Sequence, residues 1–301
     1  MKALSLIALV ISCIQVLPLP FWWIELLAHF VTPLCLSALL LIIWHCFKKQ
    51  KLWAGLTSIT LILTSIQLIQ FIPLHSNITQ TNFKVYNANV LSSNMSHELI
   101  LKQILLQSPD VITLQEFSPS LKQSLMVLDD LYPYQVLQPR SDNFGIALYS
   151  KWPIIEQNIL NFKPLKLPTI DALIEAHSLI RVITTHPVPP LNQSMFDARN
   201  QHMKELAHYI ESKSEFLILT GDFNNTPFAY SFKQFLKQTQ LHQARAHNGI
   251  NATWPSAFNY LGISIAIDHI LLSPDLTQFE LAVLPSIDSD HRPLFLNVVI
   301  P

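Results

Sequence analysis

Five polar clusters in this 301-residue chain hold the side chains best suited to chemistry. They are Asn87-Ala88-Asn89, Gln115-Glu116, His186, Gly221-Asp222-Phe223-Asn224, and Asp268 taken together with Ser289-Asp290-His291-Arg292-Pro293. Carboxylate and amide oxygens are the ligands that hard divalent cations such as Mg²⁺ or Mn²⁺ prefer. Attack on a phosphate ester builds charge on the phosphoryl and leaving oxygens, which a cation and an imidazolium both stabilise. Alone, each cluster has an ordinary explanation: a Glu after an apolar run opens a helix, a Gly-Asp pair makes a turn, and a single His packs or faces water. The set in this order along one chain is what points to metal-assisted hydrolysis of a phosphoester.

Such a constellation needs elements that bring distant residues together, and each cluster sits at the end of a β-rich run. Strands are expected over Phe83–Asn89, Val111–Leu114, Gly145–Ser150, Leu179–Thr184, Phe216–Thr220, Ile265–Leu272 and Leu294–Val299. Helices are expected over Ser96–Gln107, Ser118–Leu128, Asp197–Ser212 and Ala229–Gln238, the third carrying Met203, Leu206, Ala207 and Ile210 at core-facing spacing. Strands mixed with helices indicate an α/β or α+β domain, and loops at strand ends can converge on a site. On a strand Asn87 and Asn89 point to the same face, so Asn87 is either an extra ligand or, the preferred reading, a strand-end residue.

The first 75 residues have a different character. Half the chain is hydrophobic and 13% charged, and the apolar excess is concentrated in Ala3–Leu19, Phe21–Phe47 and Leu52–Leu74. About 20 apolar residues cross a bilayer core as a helix, so the second and third stretches are long enough and the first is near the limit. Three transmembrane helices are expected over 3–19, 21–47 and 52–74, forming a membrane anchor over 1–75, with a linker over 76–82 and a catalytic domain over 83–301. Lys2, Lys48, Lys49 and Lys51 place the amino terminus and the second loop in the cytoplasm, which sends the domain across the cytoplasmic membrane to its outer side. Glu25 and His29, four residues apart in the second stretch, are read as interfacial. Cys13, Cys35 and Cys46 all lie in the apolar region. An alternative for the amino terminus is a lipoprotein signal with Cys13 as the lipidated residue, although the apolar run continues past it.

The sequence resembles the endonuclease/exonuclease/phosphatase family, which includes DNase I, apurinic endonucleases, neutral sphingomyelinases and inositol polyphosphate 5-phosphatases. The resemblance covers Lys84 to Val299 and rests on Asn89, Gln115-Glu116, the GIALYSKWPI stretch, His186, GDFN, the IDH triplet and SDHRP. It implies a DNase I-like fold of two β-sheets packed face to face with helices outside. It also implies roles: Glu116 as metal ligand with Asn89 beside it and Asp290 near the metal, and Asp222 orienting or deprotonating the attacking water. Asn224 would help to bind phosphate, His291 would donate to a phosphoryl oxygen with Asp268 holding its tautomer, and His186 would be an acid or phosphate contact. Arg199, which follows the HPVPP segment as in membrane-linked bacterial members, is a candidate substrate contact or a salt-bridge partner at a helix start. Trp254 is a candidate substrate contact, stacking on a base or touching a lipid chain.

The substrate is less constrained than the reaction. After residue 75 the chain carries 15 basic and 19 acidic residues, a net charge of −4, with no basic run of the kind nucleic-acid binders show. The leading expectation is a phosphoesterase acting on a membrane-associated, lipid-linked phosphate. An extracytoplasmic nuclease acting on DNA or RNA is the alternative, and an inactive metal-binding sensor is a third.

Overall fold

The computed structural model describes residues 1–19, 21–73, 81–261 and 264–301. The chain begins with helices α1 (Lys2–Ile14), α2 (Trp22–Leu27), α3 (Val31–Phe47) and α4 (Lys51–Leu68), with a single 3-10 turn over Ala28–Phe30 joining α2 to α3. There follow β1 (Phe83–Asn89), α5 (His97–Gln107), β2 (Val111–Gln115), α6 (Pro119–Ser124), β3 (Tyr134–Gln138), β4 (Ile146–Ser150), β5 (Ile154–Phe162), β6 (Leu167–Glu175) and β7 (Leu179–Thr185). The remainder is α7 (Gln193–Ile210), β8 (Phe216–Asp222), α8 (Tyr230–Thr239), β9 (His242–Gln243), β10 (Asp268–Leu272), β11 (Phe279–Val283) and β12 (Leu294–Val298).

The strands form two six-stranded mixed sheets, ordered β11-β12-β1-β2-β4-β3 and β5-β6-β7-β8-β10-β9. Their inner faces meet in one apolar core that includes Val85, Val111 and Leu148 from the first sheet and Ile170, Val182 and Ile218 from the second. Helices cover the outer faces: Ile100 and Ile104 of α5 pack on Tyr86 and Ile112, and Met203, Leu206 and Ile210 of α7 pack on Leu217 and Leu219. Central strands buried on both sides read as continuous apolar runs, which is why β1, β2, β7 and β8 are legible in the sequence. Helix α7 starts at Gln193, earlier than expected, because the Asn192 side chain accepts a hydrogen bond from the Met195 amide at 3.0 Å and caps it.

The amino-terminal helices are built inside out. Ser5, Ala8 and Ser12 of α1, Ala38 and His45 of α3, and Thr57, Thr60 and Thr64 of α4 are buried, while Leu40, Ile43, Leu52, Ile62 and Ile66 face outward. Ser5 Oγ lies 2.9 Å from His45 Nε2, so the start of α1 meets the end of α3, and the four lysines gather at that end. The domain docks at the opposite end. There Phe71 meets Phe228 edge-on at 5.6 Å, and Lys233 Nζ donates to Gln67 Oε1 at 3.2 Å.

Two expectations need correction. The first apolar stretch forms a helix of only 13 residues, about 20 Å long at 1.5 Å per residue, short of the roughly 30 Å of a bilayer core. Among the described residues two helical stretches, not three, are long and apolar enough to cross a membrane: Trp22–Phe47 with 26 residues and Lys51–Phe71 with 21. Glu25 and His29 do not behave as interfacial groups: Glu25 is buried in an ion pair with Arg199, and His29 Nδ1 lies 3.1 Å from Thr226 Oγ1 of the domain. The expected linker over 76–82 falls mostly outside the described residues.

Candidate active site

The sheet registers explain why the five clusters meet. Strands β1 and β2 run parallel with Asn89 opposite Gln115, and β7 and β8 run parallel with Thr185 opposite Gly221. All four therefore end on one side, where Asn89, Glu116, His186 and Asp222 emerge. Strand β10 runs antiparallel to β8 with Asp268 opposite Asp222, and β12 runs antiparallel to β1 with Leu294 opposite Asn87. Their amino-terminal ends thus bring Asp268 and His291 to the same edge.

Local backbone geometry finishes the aiming. Glu116 and Asn224 adopt left-handed conformations, φ 59° and 48°, which non-glycine residues take up at a cost and mostly where function over-determines the position. Gly221 has φ 147°, and a Cβ there would sit 2.0 Å from the Thr185 carbonyl oxygen. Only glycine lets β8 approach β7 this closely and so hold Asp222 beside His186. Beneath the site, Gln115 Nε2 donates to Asn87 Oδ1 at 3.0 Å and to Thr184 Oγ1 at 2.9 Å, tying the two sheets together. Asn87 is part of this buried brace and lies below the cleft rather than in it.

Asp222 is the hub. Its Oδ2 accepts from Asn89 Nδ2 at 3.1 Å and lies 3.5 Å from His186 Nε2 and 3.6 Å from His291 Nε2. Asn89 Nδ2 also donates to Glu116 Oε1 at 3.1 Å, and the Ser92 amide donates to Glu116 Oε2 at 2.9 Å. His291 Nδ1 is 2.8 Å from Asp268 Oδ2, which fixes the ring and leaves Nε2 toward Asp222. Burial opposes charge on this imidazole, but Asp268 and Asp222 outweigh it and push the His291 pKa up to about 10. Burial likewise opposes ionisation of Asp222, and His291 and His186 overcome it, holding its pKa at about 2.

The cleft above these residues has a volume of 650 Å³. Trp254 and Asp290 stand on its exposed rim, where the indole Nε1 donates to Asp290 Oδ2 at 3.0 Å. Asn224 lines the cleft, with its amide nitrogen donating to the Pro187 carbonyl at 3.0 Å and its backbone amide donating to Asp222 Oδ1 at 2.8 Å. Arg199 does not line it. Fully buried, it is bonded to Glu25 and to the Asn224 carbonyl at 3.0 Å, so it braces the loop carrying Asn224 from behind. Trp22, Leu26 and His29 of the amino-terminal segment line the cleft, as do Asp142, Asn143 and Phe144 of the β3–β4 loop. Of these, only His29 carried a sequence signal, as one of the ionisable pair Glu25/His29.

The donor set fits a hard divalent cation. Five carboxylates, Glu116, Asp142, Asp222, Asp290 and, behind His291, Asp268, accompany three histidines, His29, His186 and His291, with no Lys or Arg among the described lining residues. Ligand atoms of Asp222, Asp268 and His291 also lie within 4.8 Å of one another. A cation bridging those three would break the His291–Asp268 hydrogen bond, whereas Glu116 offers carboxylate oxygens without that cost; Asn89 turns its Nδ2 toward Glu116, and its Oδ1 accepts from the Leu91 amide at 3.0 Å.

Against known proteins, a sequence model described as the Endonuclease/Exonuclease/phosphatase family matches residues 82–291, more than half of the chain. The chain belongs to that family. Among solved structures, this family member is similar to a double-mutant beta toxin from Staphylococcus aureus with bound magnesium ions, at 20% identity and a TM-score of 0.57 over 72% of this chain and 99% of that one. It is similar to sphingomyelinase C from Streptomyces griseocarneus at 16% identity and a TM-score of 0.56, covering 74% and 100%. D. rerio TDP2 complexed with single-strand DNA product matches at 16% identity and a TM-score of 0.59, covering 72% and 99%. At these identities the likeness shows the fold, two mixed sheets with flanking helices in the DNase I-like arrangement. A search of curated proteins gave no match.

Proposed function

We propose that this chain is a divalent-metal-dependent phosphoesterase that hydrolyses a membrane-associated phosphoester or phosphoanhydride on the outer side of the cytoplasmic membrane. The observation that carries the reaction class is the Asp222 carboxylate held between Asn89 and two histidines, with Asp268 behind His291. Glu116, Asn89 and Asp290 would hold the cation, Mg²⁺ or Mn²⁺, and when bound it supplies charge stabilisation to the phosphoryl oxygens. Asp222, with a pKa near 2, is a weak proton acceptor at neutral pH and a strong hydrogen-bond acceptor, which suits it to orienting the attacking water. His291, protonated at neutral pH, donates from Nε2 to a phosphoryl oxygen, and Asp268 keeps Nδ1 occupied so that the donor faces the cleft. His186 is the second donor, and Asn224 contributes a polar edge beside it.

Membrane placement is supported by the outward-facing apolar side chains of α3 and α4 and by the gathering of Lys2, Lys48, Lys49 and Lys51 at the end far from the domain. An inward face of small and hydroxyl-bearing residues is the packing pattern of helices in lipid. The lack of Lys and Arg in the described cleft lining weighs against a nuclease, whose polyanionic substrate takes its affinity from them.

The test uses the full-length chain in detergent beside an Asp222→Ala variant, each with Mg²⁺ and with EDTA. The substrates are a lipid pyrophosphate, a phospholipid, bis-p-nitrophenyl phosphate, and single- and double-stranded DNA. Turnover of the lipid phosphate that disappears with EDTA and in the variant is the expected result. Turnover of DNA alone would replace the lipid reading with the nuclease, and turnover of nothing would sink both.

A further inference from the structure

The segment that leads into α3 does more than anchor the domain. Trp22, Leu26 and His29 recur at i, i+4 and i+7, which places them on one helical face, and that face lines the reaction cleft. Across from it stand Phe144, Leu191, Trp254 and Ile265. The cleft therefore joins the polar hub at Asp222, with Asp142 and Asn143, to an apolar trough closed on one side by a membrane-type helix.

What holds that wall is specific. The Glu25 carboxylate is bonded to Arg199, buried in the domain, and accepts from Ser231 Oγ at 2.5 Å. His29 Nδ1 meets Thr226 Oγ1 at 3.1 Å. Gln15 Nε2 donates to the Leu27 carbonyl at 2.6 Å, tying the end of α1 to the end of α2. The wall's outer side is continuous with the apolar exterior of the bundle: Phe21, Trp23 and Phe30, neighbours of the lining residues, are exposed.

We infer that Trp22 and Leu26 are specificity-determining residues of the active site, forming the subsite for the alkyl chain of an amphiphilic phosphoester. This rests on the phosphoester reading given above. Three features select this occupant. The trough begins at the reacting centre, so its ligand is the part of the substrate attached to the phosphate. Its described lining carries no Lys or Arg to pair with a second phosphate of a nucleic acid. Its wall is a piece of the segment that faces lipid, so a chain leaving the bilayer reaches the trough without crossing water.

The experiment uses the full-length chain and a series of 4-nitrophenyl alkyl phosphate diesters from methyl to octyl, monomeric in solution, read as kcat/KM. Each buried methylene is worth about 0.8 kcal/mol, or roughly fourfold, so wild type is expected to favour octyl over methyl by at least about 30-fold. In Trp22→Ala/Leu26→Ala that ratio is expected to fall by about tenfold or more. Trp22→Phe/Leu26→Met, which keeps the apolar area, is expected to hold it within about threefold. General damage to the fold slows all esters alike and leaves the ratio unchanged. An unchanged ratio in the double alanine variant overturns the inference, as does a collapse in the conservative variant or cleavage of an oligonucleotide that ignores both substitutions. If no ester is turned over, the phosphoester reading fails, and the subsite is read without catalysis. For this, Leu26→Cys is introduced with Cys13, Cys35 and Cys46 replaced by Ser, and its maleimide labelling is followed with methyl or octyl phosphate present. Slowing by octyl phosphate alone upholds the subsite, and equal rates overturn it.

Discussion

His291 and Asp268 show how much one hydrogen bond is asked to do. The bond at 2.8 Å fixes which ring nitrogen faces Asp222, and the two carboxylates on either side keep the ring charged. Asp268→Asn removes a charge and permits the ring to present the wrong nitrogen, while the backbone of β10 stays paired with β8. The expected result is a fall in kcat of about 10²–10⁴-fold with KM changed little. Kinetics on bis-p-nitrophenyl phosphate check this, and a loss under about threefold would remove Asp268 from the mechanism. Residue types and order made this pair visible in the sequence, since IDH and SDHRP stand out as written. The true setting of Arg199 was not visible, because its partner Glu25 lies 174 residues earlier in a stretch that reads as lipid-facing.

At the scale of elements, the second sheet is braced at the end away from the site. Arg181 of β7 pairs with Asp171 of β6 at 2.8 Å and with Glu215, just before β8, at 2.6 Å. The Arg181 hydrogen bond holds the Glu215 pKa at about 2, below its ordinary 4.5, against the opposing effect of partial burial. A folded-state pKa below the unfolded one stabilises the protein above about pH 4.5, and that contribution is lost as pH falls through about 2. Glu215→Gln is therefore expected to melt at a lower temperature than wild type near pH 6, and the gap should close as pH approaches 2. Thermal melts across that range in one detergent test it, and a gap that widens on acidification would contradict the assignment. The strands of this sheet were unevenly legible: β7 and β8 are apolar runs, whereas β5 is an edge strand, half exposed, with the polar sequence Glu156-Gln157-Asn158 inside it. A strand paired on one side only needs little apolar character, and pattern reading passes over it.

Across the whole molecule, the two ends of the helical bundle differ in kind. One end gathers four lysines, and the other carries the docked domain. If the domain lies outside the cytoplasmic membrane, single cysteines placed in a cysteine-free chain report the two sides directly. A membrane-impermeant maleimide applied to intact cells should label Lys122→Cys on the domain and spare Lys49→Cys between α3 and α4. The reverse pattern would place the domain in the cytoplasm and overturn the outward reading. Composition alone located this bundle, but the 3-10 break at Ala28–Phe30, where His29 meets Thr226 of the domain, is a tertiary feature that no local hydropathy window registers.

The Glu25–Arg199 pair also imposes an order on biogenesis. On the membrane placement proposed above, Glu25 leaves the ribosome long before Arg199 exists as a counter-charge. A carboxylate without its partner keeps to water, so α2 has reason to stay unseated while the rest of the chain is made. The cleft gains its second wall only when α7 has folded and presents Arg199. On that placement, maturation ends with an early segment docking onto a domain made after it.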